Sequence, residues 1–184
     1  MKVLAISGSL RRDSYNTKLL RAAGELLPGS VEFEIWGGLK AVPPYDAEDD
    51  VHPGPPAVEA LREAIAGADV VLFATPEYNS SIPGVLKNAL DWASRPIATN
   101  VLRNKPVAVV GTSTGAFGAV WAQAELRKVL AAIGARVVEG DVALGHAHEA
   151  FEDDGELSDL NARDQLAEVL DALLVETPAA VAAA

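Results

Sequence analysis

The sequence predicts an α/β domain built on a doubly wound, five-stranded parallel sheet with helices on both faces. Three observations carry this. Apolar, β-branched runs alternate five times with segments of helical periodicity, the pattern of βαβ units. Three of the runs are nearly continuous in apolar residues, as expected of strands covered on both faces. Right-handed crossovers between parallel strands then wrap the helices around the sheet, most simply with strand order 2-1-3-4-5.

In chain order, the strands are expected at Lys2–Ser7, Val31–Trp36, Asp69–Ala74, Pro106–Thr112 and Arg136–Val142. The helices are expected over 15–27, 56–67, 83–94, 118–134 and 159–175. Pro28-Gly29, Gly67 and Gly134 supply stop signals at or near a C′ position. Leu126, Val129, Leu130 and Ile133 fall at i, i+3, i+4 and i+7, one apolar helix face. Residues 37–56 hold five of the 11 prolines, so neither a helix nor a central strand can run through them. A loop that long in a compact domain is functional or disordered.

With 184 residues, 49% of them hydrophobic, the chain suits one domain with a sizeable core. Its expected span is 1–176. The tail 177–184, without a polar face or a cap, is expected to fray. The absence of cysteine excludes disulfides, thiolate metal sites and cysteine nucleophiles. No apolar stretch approaches the roughly 18 residues of a membrane span, and the first residues are too short for a signal peptide, so a soluble, cytoplasmic protein is expected. The net charge of −11 argues against nucleic acid as a partner and otherwise serves solubility.

Ligands of open α/β sheets bind beyond the carboxyl ends of the strands, and three loops there are distinctive. Gly8-Ser9-Leu10-Arg11-Arg12-Asp13-Ser14-Tyr15-Asn16-Thr17 joins the first strand to the first helix. It offers a phosphate the side chains of Ser9, Ser14, Asn16 and Thr17, backbone N–H groups at the helix start, and the fork of Arg11. It lacks the Gly-Lys-Ser/Thr of a nucleoside-triphosphate loop and the three glycines of a dinucleotide fingerprint. A terminal phosphate therefore suits it best, against the plainer reading of an ordinary capped loop.

The second loop, Pro76-Glu77-Tyr78-Asn79-Ser80-Ser81-Ile82-Pro83, sets one large aromatic among small polar residues and suits a flat ring. The third, Thr112-Ser113-Thr114-Gly115-Ala116-Phe117-Gly118, adds hydroxyls. Gly111, Gly115 and Gly118 would let its backbone approach a ligand. Order 2-1-3-4-5 sets these loops side by side, as a bound mononucleotide requires.

Gly8-Ser9-Leu10-Arg11 with Ser14 and Asn16, followed by Thr75-Pro76-Glu77-Tyr78-Asn79-Ser80-Ser81-Ile82-Pro83-Gly84-Val85-Leu86-Lys87-Asn88-Ala89-Leu90-Asp91-Trp92, resembles the NADPH-dependent FMN reductases and their quinone, azo-dye and chromate reductase relatives. The similarity covers about residues 1–175. It implies a flavodoxin-like fold and non-covalent FMN, with Ser9, Arg11, Ser14 and Asn16 holding the phosphate. It also implies Pro76, Glu77, Tyr78 and Asn79 along the isoalloxazine and ribityl, and Ser113 and Gly115 in the third flavin loop. Glu77 is expected to act through its backbone, since a buried charge beside the ring would be costly. Pro43-Pro44-Tyr45-Asp46 resembles a loop bordering the open flavin face.

The resemblance further implies a two-step, ping-pong cycle. Two electrons pass from NAD(P)H through FMN to a quinone, free flavin, azo compound or metal oxyanion. The redox chemistry belongs to the cofactor, so no residue is assigned as acid or base. Loop 113–116 is the candidate donor for charge developing at flavin N1 and O2. A homodimer or homotetramer is implied, with Leu86, Leu90 and Trp92 marking either its face or helix–sheet packing. Trp92 and Trp121 are expected in core or interface. His52, His146 and His148 have no acidic cluster arranged as a metal site, and Glu152-Asp153-Asp154 reads as a solvated turn. Arg12 and Lys18 are candidates for discriminating NADPH from NADH. The rival readings are a flavodoxin-type electron carrier that ignores NADPH and a cofactor-free binding module.

Overall fold

Strand register brings the ligand-facing ends of the sheet level. In the computed structural model, which describes residues 1–176, β1 (Lys2–Ser7) lies parallel between β2 (Glu32–Trp36) and β3 (Val70–Thr75). On the far side of β3 runs β4 (Pro106–Thr112). Ser7 pairs with Ala74, and Thr75 with Gly111. The loops after β1, β3 and β4 thus emerge beside one another, in the expected order 2-1-3-4-5. The expected tail, 177–184, lies outside the described residues.

The central strands alternate their side chains between two cores. Val3, Ala5, Val70, Leu72 and Val110 face α1 (Tyr15–Leu26) and α6 (Leu160–Val175), meeting Leu19, Leu20, Leu166 and Leu170. Leu4, Ile6, Val71, Phe73 and Val109 face α2 (Pro56–Gly67), α3 (Gly84–Ala93) and α4 (Val120–Ile133), meeting Leu61, Ile65, Leu86, Leu90 and Leu126. Leu86 and Leu90 are buried in helix–sheet packing, whereas Trp92, equally buried, packs against the proline-rich loop rather than the sheet.

The fifth strand differs from expectation. Residues 136–142 do not form one strand. Arg136–Val137 (β5) pairs with the start of β4, and Ala143–Leu144 (β6) with its end. The reason is Arg127 of α4. Its guanidinium enters the gap, donating to the carbonyls of Val109 (2.9 Å) and Gly140 (2.6 Å) and pairing with Asp141 (2.9 Å). A side chain thus satisfies the Val109 carbonyl, which a continuous strand would have used.

Of the three glycine stops, only Gly134 is left-handed, with φ +97°; α1 and α2 end instead on extended residues, Leu27 and Ala68. Two helices are too short to show a periodicity in the sequence, the 3₁₀ turn Leu39–Ala41 and α5 (Ala147–Ala150). The proline-rich loop is pinned to α3: Asn88 Nδ2 and Trp92 Nε1 both donate to the Pro43 carbonyl (2.8 and 2.9 Å), and Tyr45 N–H donates to Asn88 Oδ1 (2.7 Å). The Tyr45 ring meets Trp92 edge-on at 4.9 Å.

Candidate functional site

A cleft at the carboxyl ends of β1, β3 and β4 is lined by residues of all three loops: Ser9, Arg11, Ser14 and Asn16, then Pro76, Glu77 and Tyr78, then Thr112, Ser113 and Thr114. Tyr15, which the sequence did not single out, lines it too. Thr17, Asn79 and Gly115 are not part of this lining, although each follows a lining residue in the chain.

The first loop is shaped by its own hydroxyls. Ser14 is the N-cap of α1, its Oγ accepting from Thr17 N–H at 3.3 Å. Ser7 Oγ accepts from Thr17 Oγ1 (3.1 Å) and from Ser9 N–H (3.3 Å). Ser9 Oγ in turn accepts from Arg11 N–H at 3.4 Å. Helix geometry leaves the N–H groups of Ser14, Tyr15 and Asn16 without intrahelical acceptors. They open on the cleft together with the positive end of the helix dipole. Arg11 Nη2 reaches only to a 3.5 Å contact with the Asp13 carbonyl, so its guanidinium is available. Lys18 instead lies over the Tyr15 and Phe151 rings, 5.5 and 5.9 Å from their centres.

Asn16 is 3% exposed, and its amide is already engaged. Nδ2 donates to the Thr112 carbonyl (2.9 Å), and Oδ1 accepts from Thr112 N–H (3.1 Å). The side chain therefore stitches the start of α1 to the end of β4, while its backbone N–H remains among the first N–H groups of the helix, which have no intrahelical acceptor.

In the second loop, Tyr78 and Ser81 exchange backbone hydrogen bonds at 3.0 and 3.2 Å. Asn79 and Ser80 between them are both left-handed, at φ 53° and 61°. This two-residue turn with φ positive at both central positions is the tight hairpin turn that asparagine tolerates. It leaves the Tyr78 ring 49% exposed at the cleft. The Glu77 carboxylate has a role the sequence did not reveal: Oε2 accepts from the N–H groups of Trp121 and Ala122, both at 3.1 Å.

The third loop rests on the segment after β6. Ser113 N–H and Thr112 Oγ1 donate to the Leu144 carbonyl (3.1 and 2.8 Å), His146 N–H to that of Gly115 (3.1 Å), and Ala147 N–H to that of Ser113 (3.0 Å). Gly118, at φ +58°, has no room for a side chain: a Cβ would lie 2.1 Å from the Ala143 carbonyl carbon. A Cβ on Gly111 would meet Gln123 Nε2 at 2.9 Å. These two glycines thus admit the chain's own segments, not a ligand. Gly115 alone borders open space, its nearest neighbour being Ser113 Oγ at 3.7 Å.

Beside the cleft is a second, more apolar recess lined by Gly8, Leu10, Arg11, Tyr78, Pro83, Gly84 and Val85, so Arg11 and Tyr78 border both. Among the described residues no helix is long and apolar enough to cross a membrane.

The donor set fits a flavin mononucleotide: hydroxyls, free helix N–H groups and a guanidinium at one end, an exposed aromatic and polar loops at the other. Comparison with known proteins agrees. Residues 1–149 match the family model for NADPH-dependent FMN reductase. The chain is 43% identical over 174 residues to an NAD(P)H-dependent FMN reductase of Pseudomonas aeruginosa, covering 94% of this chain and 93% of that one. It is 47% identical over 133 residues to a 2-hydroxy-1,4-benzoquinone reductase of a Burkholderia species, covering 71% and 70%. Among solved structures, the flavoenzyme NAD(P)H:(acceptor) oxidoreductase FerB of Paracoccus denitrificans superposes with a TM-score of 0.82 at 34% identity, over 96% of this chain and 98% of that one. Sequence, fold and site converge: the chain belongs to the NADPH-dependent FMN reductase family, oxidoreductases that use FMN and NAD(P)H.

Proposed function

We propose that the protein passes two electrons from NAD(P)H to a quinone by two separate half-reactions, with FMN held in the three-loop cleft. The donors of Ser9, Arg11 and Ser14 and the exposed Tyr78 ring, all lining one cleft, carry this reading. FMN held there would supply the redox chemistry, hydride acceptance and two-electron reduction of the acceptor.

The chain's residues supply placement and electrostatics. The hydroxyls of Ser9 and Ser14, the N–H groups of Tyr15 and Asn16 and the Arg11 fork hold the phosphate. Thr17 acts one step back, through Ser7, by fixing the turn that presents Ser9. Pro76, Glu77, Tyr78 and Asn79 line one side of the ring and ribityl, and Ser113 and Gly115 the other. The open face above Gly115 lets the N–H groups of residues 114–116 act as donors where negative charge would develop, whereas that of Ser113 is already taken by the Leu144 carbonyl.

The neighbouring recess, with Leu10, Pro83, Val85 and Tyr78 on its walls, suits a flat, weakly polar ring, which favours a quinone over a metal oxyanion. Val85, Phe117, Val120 and Trp121 are exposed apolar residues near this end of the molecule, and Phe117 meets Trp121 edge-on at 5.1 Å. They support self-association as a homodimer or homotetramer. This reading places the enzyme in the cytoplasm, where reduced nicotinamide nucleotides are available.

Steady-state kinetics of FMN-loaded protein test it. Varying NADPH at several fixed quinone concentrations should give parallel double-reciprocal lines, and NADPH alone should bleach the flavin anaerobically. Intersecting lines would contradict the separated half-reactions. Flavin that NADPH leaves oxidised would favour an electron carrier.

A further inference from the structure

Helix α4 begins without a cap of its own. Its N-cap, Ala119, is left-handed at φ 62° and has no side chain able to accept a hydrogen bond. The donors that an N-cap normally satisfies are the second and third N–H groups of the helix, here Trp121 and Ala122. Both are taken by Oε2 of Glu77, at 3.1 Å each, from a loop 44 and 45 residues earlier in the chain. The second cleft loop thus caps the helix into which the third cleft loop feeds.

We infer that Glu77 is a positioning residue: its carboxylate sets the separation of the second and third loops, and hence the slot that receives the flavin ring. This rests on FMN occupying the cleft. Three features support it. The Tyr78–Ser81 turn that follows Glu77 is tightly closed, so a displacement of Glu77 carries Tyr78 with it. The third loop is already fixed on its other flank by the Leu144 and Ala147 contacts. With Asn16 tying the first loop to Thr112, the Glu77 contact completes a chain of ties across all three loops. The positive end of α4 also offsets the carboxylate's charge, which allows an acidic residue at the edge of a site that must accept electrons.

The experiment compares wild type, Glu77→Ala, Glu77→Gln and Glu77→Asp by flavin-fluorescence titration, visible-region circular dichroism of bound FMN, and amide exchange at Trp121 and Ala122. Losing a cap of this kind should weaken FMN binding by about tenfold in the alanine variant. It should also alter the flavin dichroism and speed exchange at both amides. Gln keeps an accepting oxygen at the same reach and should stay within about threefold of wild type. Asp, one methylene shorter, should resemble Ala despite its charge. The Gln and Asp variants carry the test if the alanine variant does not fold. A purely structural role would lower the denaturation midpoint and leave FMN affinity and dichroism unchanged in all three variants; that result, or unchanged exchange at Trp121 and Ala122, overturns the inference. A wild-type protein that binds no FMN overturns the functional reading itself, and this inference with it.

Discussion

Gly118→Ala is expected to destabilise the protein by about 2–5 kcal/mol and to weaken flavin binding. Two costs add. A left-handed backbone costs a residue with a Cβ roughly 1–2 kcal/mol, and Gly118 sits at φ +58°. The added Cβ would also lie 2.1 Å from the carbonyl carbon of Ala143, 2.2 Å from its oxygen and 2.6 Å from Leu144 N. These are backbone atoms, so no rotamer change relieves the overlap. Forced overpacking typically costs about 1–3 kcal/mol. The segment that must yield is β6, whose Leu144 carbonyl holds the third loop through Ser113 and Thr112. The lower urea midpoint should therefore come with weakened FMN binding. Gly29→Ala, at a site with no neighbour within 4 Å of the new Cβ and no left-handed φ, is the control and should be near neutral.

Asn16→Ala should cost about 2–4 kcal/mol. It strands both the N–H and the carbonyl of Thr112, which the Asn16 amide satisfies in a buried setting. An orphaned buried group costs about 1–3 kcal/mol. The measurement is the shift in urea midpoint at unchanged m-value. Asn16→Asp separates this account from simple cavity formation. One carboxylate oxygen could still accept from Thr112 N–H, but the other would face the Thr112 carbonyl, so the aspartate variant should be no more stable than the alanine one. FMN affinity should fall in both, because the start of α1 loses its tie to the third loop.

Much of this architecture could be read from residue patterns because it is local. The unbroken apolar runs at Val3–Ile6, Val70–Ala74 and Val107–Val110 announce strands buried on both faces, and the Ser14 cap marks the start of α1. The residues that line the cleft are recognisable where side-chain type and loop position suffice, as with Ser9, Arg11 and Tyr78. What escaped depends on partners distant in sequence. Nothing near residues 138–142 signals that Arg127 would replace a strand in the ladder. Asn16 looked like a free phosphate ligand, although its amide meets Thr112, 96 residues away. Glu77 was expected to contribute only its backbone, yet its carboxylate serves a helix 44 residues on. The alanine at position 119 was the available clue, since a helix starting there with no capping side chain needs one from elsewhere. By its sequence context Gly118 makes room for a ligand, whereas in the fold it makes room for Ala143, a contact only the folded sheet brings about.

The most direct measurement compares FMN with riboflavin, which differ only in the phosphate, by fluorescence titration of the apoprotein. The end of the cleft at the start of α1 has a guanidinium and several N–H and O–H donors, and hydrogen bonds to charged groups contribute about 1.5–3 kcal/mol each. The account predicts FMN binding at least about a hundredfold tighter than riboflavin, with the gap narrowing by about tenfold or more in Arg11→Ala. Equal affinity for the two flavins, or a gap that Arg11→Ala leaves intact, would contradict a phosphate seated at the start of α1.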